Sequence, residues 1–176
     1  MADMNQGNTA LLIIDVQQGL FWKRKPIYKA RELLDNIHML VRRAHKSGVP
    51  VFYIQHSNEK TLQKDTPNWQ LHHRLNPLEI DHIIHKQHGN AFEDTPLEAA
   101  LKSYHVTKLV IMGLVTDGCV KATCLGARQL DYDVTLVQDG HSSYSKDAGR
   151  LIDKWNRKLA AQNCELKTAS QVTFSN

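Results

Sequence analysis

The chain lacks the marks of several large protein classes. It has three cysteines, an odd number too small for a disulfide framework, and no Cys-x-x-Cys pair, so free thiols in a reducing compartment are expected. No apolar run approaches the roughly 20 residues needed to cross a bilayer, and Met1-Ala2-Asp3-Met4-Asn5-Gln6 is not a basic segment followed by an apolar one. The expectation is a cytoplasmic protein without a membrane partner. Lysine and arginine outnumber aspartate and glutamate by 22 to 18, yet only Lys23-Arg24-Lys25 clusters. Without a helix-turn-helix or RNA-binding signature, no nucleic-acid partner is expected. The ten histidines include no His-Glu-x-x-His motif, and His82 and His85 would face opposite sides of a strand, so they predict no metal site.

What is present is an alternation of apolar runs and amphipathic stretches over 176 residues, a length suited to one domain spanning 1–176. After a polar segment 1–9, expected to fray, Ala10 to Val16 reads as a central strand covered on both faces. Leu33, Leu34, Ile37, Leu40, Val41 and Ala44 space a helix over Lys29 to Ser47, closed by Gly48. Strands follow at Val51 to Ile54 and His82 to Lys86. The polar excursion Ser57 to Asp81 lies between them, with room for one short helix. Thr95, Pro96 and Glu98 suggest a capping box opening a helix. Lys108 to Met112 and Asp133 to Val137 are two more strands, Gln138 to Ser143 a turn, Lys146 to Asn163 a helix with Leu151, Ile152, Trp155 and Leu159 inward, and Glu165 to Ala169 an edge strand. Such alternation predicts an α/β fold in three α/β/α layers around a mostly parallel sheet of about six strands.

In parallel sheets ligands gather beyond the carboxyl ends of the strands, at the switch point of strand order. Asp15, Lys86 and Cys119 all fall at such ends. Cys119 is expected in the first turn of a helix, where unpaired N–H groups and the helix dipole favour a thiolate. A carboxylate able to take the thiol proton, and an ammonium to offset the buried charge, complete a nucleophile system for acyl transfer. His56, His88 and His141 sit at strand ends as candidate polar pocket groups. Trp22 and Trp69 are candidate walls, and Phe92 joins the pocket set.

L-L-I-I-D-V-Q at 11–17, H-I-I-H-K-Q-H-G-N-A-F at 82–92 and G-L-V-T-D-G-C-V at 113–120 resemble the three signatures of the isochorismatase-like cysteine hydrolases, which include nicotinamidases and N-carbamoylsarcosine amidohydrolase. The resemblance implies an Asp15, Lys86 and Cys119 triad. It also implies a non-proline cis peptide at Leu114–Val115, with the Val115 and Cys119 N–H groups as an oxyanion hole, and homodimers or homotetramers. Nicotinamidases carry an Asp-x-His metal pair after strand two; here His56 and Asn58 stand in those places, which argues against a metal, against any cofactor and against nicotinamide as substrate. The segments H-G-N-A-F…T-P-L-E and T-x-G-C-V-x-A-T-C-L-G-A are similar to those of amide hydrolases such as streptothricin hydrolase. The function so implied is cysteine-dependent hydrolysis of an amide, ureido or lactam C–N bond in a small molecule. The alternatives are a non-catalytic binding or scaffold member of the fold and a vinyl ether hydrolase of the isochorismatase type, against which the retained Cys119 argues. A redox role for Cys119 with Cys124 ranks lower still.

Overall fold

The computed structural model describes residues 8–174. Its elements run β1 (Asn8–Ile14), α1 (Gln18–Phe21), α2 (Ala30–Lys46), β2 (Val51–His56), β3 (His82–Lys86), α3 (Leu97–Ser103), β4 (Val106–Leu114), α4 (Lys121–Gln129), β5 (Asp133–Ser142), α5 (Ala148–Ala160) and β6 (Cys164–Lys167). The six strands form one sheet in the order β3-β2-β1-β4-β5-β6, and every pairing is parallel. This is the expected α/β architecture. Of the polar segment 1–9, residues 1–7 lie outside the described residues, and Asn8 and Thr9 belong to β1.

Strand alternation divides the core into two. Leu11, Ile13, Val51, Tyr53, Val110 and Met112 face α2, which buries Leu33, Leu34, Ile37, Leu40 and Ala44 against them. Leu12, Ile14, Phe52, Ile54 and Ile111 face the opposite way, towards Leu97 and Leu101 of α3, Cys124 and Ala127 of α4 and Leu159 of α5. Each large aliphatic side chain so buried contributes about 1.5–3 kcal/mol before entropy is counted. The crossover from β1 runs towards β2 over one face, while those after β3, β4 and β5 run the other way over the other face. β1 and β4 therefore flank the switch point. Gly113 lets them approach there: its φ is +126, and a Cβ would lie 2.2 Å from the Ile14 carbonyl oxygen.

Several local expectations change. Between Ile111↔Leu136 and Gly113↔His141, β5 spends five residues where β4 spends two, so the segment read as a turn is a bulged continuation of the strand. Glu98 pairs with Lys102 at 2.6 Å rather than closing a capping box, and the Thr95 hydroxyl accepts from the Leu97 N–H. On α5 only Leu159 of the four inward residues is fully buried; the Lys121 and Lys158 ammoniums lie 4.8 and 4.9 Å from the centroid of the Trp155 ring. The excursion between β2 and β3 contains no helix. It is tied to the end of β1 by a Gln17↔Leu71 bridge and by main-chain bonds from Gln18 to Gln70 and from Gly19 to Asn68. Among the described residues no helix is long and apolar enough to cross a membrane.

Candidate active site

Asp15 leaves β1 with φ 49, a left-handed conformation that aspartate tolerates better than most residues. Its main-chain N–H donates to the Ile54 carbonyl, and its side chain is buried. Lys86 ends β3, separated from β1 by β2, so its ammonium reaches the switch point only by way of its long stem, strands being spaced about 4.8 Å apart. Ile84 and Lys86, two residues apart, are both buried, as strand alternation requires. The peptide Leu114–Val115 is cis. Cys119 follows in a π-type turn, Thr116–Val120, broken by Gly118 (φ −115, ψ −113). The break at Gly118 falls before Cys119. Val120 and Lys121 have right-handed helical angles, and the Lys121 N–H donates to the Gly118 carbonyl, so Cys119 stands in the first turn of the helix that continues as α4, as expected.

The three side chains meet at the Lys86 ammonium. Nζ donates to Asp15 Oδ2 at 2.9 Å, to the His88 carbonyl at 3.0 Å, and to His56 Nδ1 and Cys119 Sγ at 3.1 Å each. An ammonium has three protons for these four acceptors, so the cluster is saturated with acceptors. The other carboxylate oxygen, Asp15 Oδ1, is buried without a hydrogen-bond partner among the described residues.

Burial governs the charges. It pushes the Cys119 thiol up to about 12, with the Asp15 carboxylate adding to the rise and Lys86 opposing it. This reverses the expectation of an acidic thiol: desolvation outweighs the ammonium and the helix start together. Burial also raises the Asp15 carboxyl, against the pull of Lys86, and lowers His56, with Lys86 working in the same direction.

The remaining candidates divide. His56 is half-buried against Lys86. Trp69 is buried, edge-on to His85 at 5.1 Å, and with Lys86, His88 and Asp94 it lines a cavity of about 270 Å³. The exposed His88 side chain turns to Asp94 at 3.2 Å, and only its carbonyl meets Lys86. Trp22 is 61% exposed. Phe92 stacks on Tyr132 and packs on the core at the α3–α4 face. His141 is buried, with Nδ1 2.9 Å from Thr116 Oγ1 and Nε2 2.8 Å from Asn156 Oδ1. It braces the turn that carries Cys119, and the structure does not bring Trp22, Phe92 or the His141 ring to the Lys86 cluster. A larger hollow of about 640 Å³ lies at the amino ends of the strands, around Lys108, Asp133 and Glu165, and contains none of the candidates.

Two glutamines have roles that the sequence reading did not assign. Gln17 Nε2 donates to the carbonyls of His56 and Trp69 at 2.8 and 2.7 Å, and Gln55 Nε2 donates to the same Trp69 carbonyl at 2.9 Å. The signal was a polar residue in an otherwise apolar strand, Gln55 between Ile54 and His56. Asn58 Oδ1 accepts the N–H groups of Lys60, Thr61 and Leu62. It caps the loop, so this position does not fit the metal that an Asp-x-His pair holds. Cys124 is buried in the core and, like Cys164, is a free thiol.

The isochorismatase domain model matches residues 9–158. A streptothricin hydrolase of Streptomyces noursei is 32% identical over 137 residues, covering 77% of this chain and 50% of its own length. A second from the same organism is 31% identical and 54% covered, so the chain spans about half the length of these curated relatives. A crystal structure of an isochorismatase family protein superposes with a TM-score of 0.85 at 27% identity, over 92% of this chain and 98% of that one. N-carbamoylsarcosine amidase from Thermoplasma acidophilum superposes with a TM-score of 0.81 over 94% and 98% of the chains at 19% identity, a likeness of fold.

Proposed function

The chain belongs to the isochorismatase family, and from that premise we propose that it is a cysteine-dependent hydrolase of an amide, ureido or lactam C–N bond in a small molecule. Asp15, Lys86 and Cys119 are its catalytic triad. The observation that carries this reading is one ammonium bonded to both a buried carboxylate and a thiol, at 2.9 and 3.1 Å, beyond the carboxyl ends of the strands. The cavity beside it, about 270 Å³, lies at the small end of ligand pockets.

Because the resting thiol keeps its proton, attack and proton transfer go together. The Cys119 sulfur bonds to the carbonyl carbon while its proton passes to the Asp15 carboxylate. The oxygen that becomes negative is held by the Val115 and Cys119 N–H groups. Collapse breaks the C–N bond, Asp15 gives the proton to the leaving nitrogen, and a thioester remains. Asp15 then takes a proton from water, whose oxygen adds to the thioester; the acid departs, and the proton returns to the sulfur. Lys86 keeps its charge throughout and offsets whichever neighbour is negative.

The test is a mass-spectrometric screen of amides, ureido acids and lactams with the wild-type protein and Cys119→Ser. The reading expects a substrate that the wild type hydrolyses with an acyl adduct on Cys119. Equal turnover by Cys119→Ser would overturn it.

A further inference from the structure

Asp15, His56 and Cys119 each bring one metal-ligating atom to within 4.8 Å of the others. A carboxylate oxygen, an imidazole nitrogen and a sulfur form the donor set of a zinc site with an open position. Here they close around the Lys86 ammonium, which lies 2.9 Å from Asp15 Oδ2 and 3.1 Å from both His56 Nδ1 and Cys119 Sγ. The cage is therefore already a cation site. It also keeps a spare donor, since Asp15 Oδ1 is buried, in a side chain that is almost wholly enclosed, and has no hydrogen-bond partner among the described residues.

We propose that this cage is a reversible binding site for a thiophilic divalent cation, of which Zn²⁺ is the type, and that the ion competes with the Lys86 ammonium. Zn²⁺ bonds to an Asp15 oxygen, His56 Nδ1 and Cys119 Sγ; the thiol proton leaves to solvent, the lysine swings away, and water takes the fourth position. Bond lengths of 2.0–2.3 Å about zinc, against those about Nζ, require each ligand to close in by roughly 1 Å. The site differs from an Asp-x-His pair: Asn58 contributes nothing, and the ion binds the sulfur itself. Its blocking of catalysis rests on the hydrolase reading, but its binding does not.

The test uses the whole protein and needs no substrate. In the wild type, Zn²⁺ should protect Cys119 from alkylation, and Co²⁺ as a probe should give a sulfur-to-metal charge-transfer band. Cys119→Ser should abolish the band, because Cys124 and Cys164 are enclosed in the core. His56→Gln should weaken Zn²⁺ binding about tenfold or more, as loss of one ligand of three implies. Lys86→Met should move the other way and tighten it about tenfold or more, because the resident cation is gone. Cys119 alkylated at an unchanged rate in millimolar Zn²⁺ overturns the proposal without recourse to any variant. So does a band that survives in Cys119→Ser, or a folded Lys86→Met protein that binds no tighter than wild type. A failed hydrolysis screen would leave all these readouts unchanged, so the two ideas fall separately.

Discussion

Gln17 grips His56 from both sides: its Nε2 donates to the His56 carbonyl at 2.8 Å while its Oε1 accepts the His56 N–H at 2.9 Å. A side-chain amide thus extends the pairing of β2 beyond the point where β1 turns away. It fixes the imidazole next to Lys86 and, through the Trp69 carbonyl, the wall of the cavity.

Gln17→Leu keeps the volume but leaves these buried groups without partners. At about 1–3 kcal/mol per unsatisfied group, a loss of roughly 2–5 kcal/mol is expected, measured by urea unfolding. Turnover should drop along with it. A change within about 0.5 kcal/mol would show that water replaces the amide without cost.

With burial holding the Cys119 thiol up at about 12, alkylation should be slow at pH 7 and still accelerating above pH 9. A rate that levels off below pH 8 would mean a preformed thiolate, and therefore a helix-end and ammonium field stronger than the desolvation that opposes it.

Asp15 raises the thiol and Lys86 lowers it, so their removal should move it in opposite directions. Asp15→Asn should ease thiolate formation yet cost about a hundred- to ten-thousand-fold in rate, the worth of a positioned proton acceptor. Lys86→Met should make the thiolate harder to form and also abolish most activity. Titration of the thiol in both variants reads the two signs, and equal shifts would refute the assigned roles.

Turnover should need no added metal, since Asn58 is spent on capping its loop. Chelation of the purified protein should leave the rate unchanged or raise it. A rate abolished by chelation and restored by a transition metal would contradict this.

His72 is pushed down to about 4, first by burial and then by His73 and Arg74. Unfolded histidine titrates near 6.5, so the unfolded state gains the proton first as the pH falls. The contribution of a neutral His72 to stability is present above about 6.5 and is lost on descent towards 4. Tm should therefore fall across that interval. His72→Asn, which keeps an acceptor for the Arg74 N–H now bonded to Nδ1, should flatten the fall.

Asp15, Lys86 and Cys119 were legible because the ends of strands in a parallel sheet are fixed by hydrophobic pattern and connection length, both local properties. Orientation beyond those ends was less so. His141 follows a bulge in which β5 inserts an odd run of residues, so alternation no longer says which way it faces; it turned inward to Thr116 and Asn156. Phe92 found a partner in Tyr132, forty positions away in the chain, which no local pattern reports. The thiol's acidity was misjudged because enclosure is a tertiary quantity. The two glutamines were overlooked for a related reason: a buried amide acquires its task only from the carbonyls that the fold sets around it.

The pairing of β1 with β4 joins Asn8 to Val106 and Ile14 to Gly113, and this bears on the order in which the chain is made. A ribosome delivers Asp15, His56, Lys86 and His88 well before Cys119, so the carboxylate, the ammonium and the ammonium's other two acceptors precede the sulfur in the chain. No nascent intermediate lacking β4 can hold the reactive sulfur against them. A chain cut anywhere before residue 114 should be chemically silent, however much of its sheet has formed.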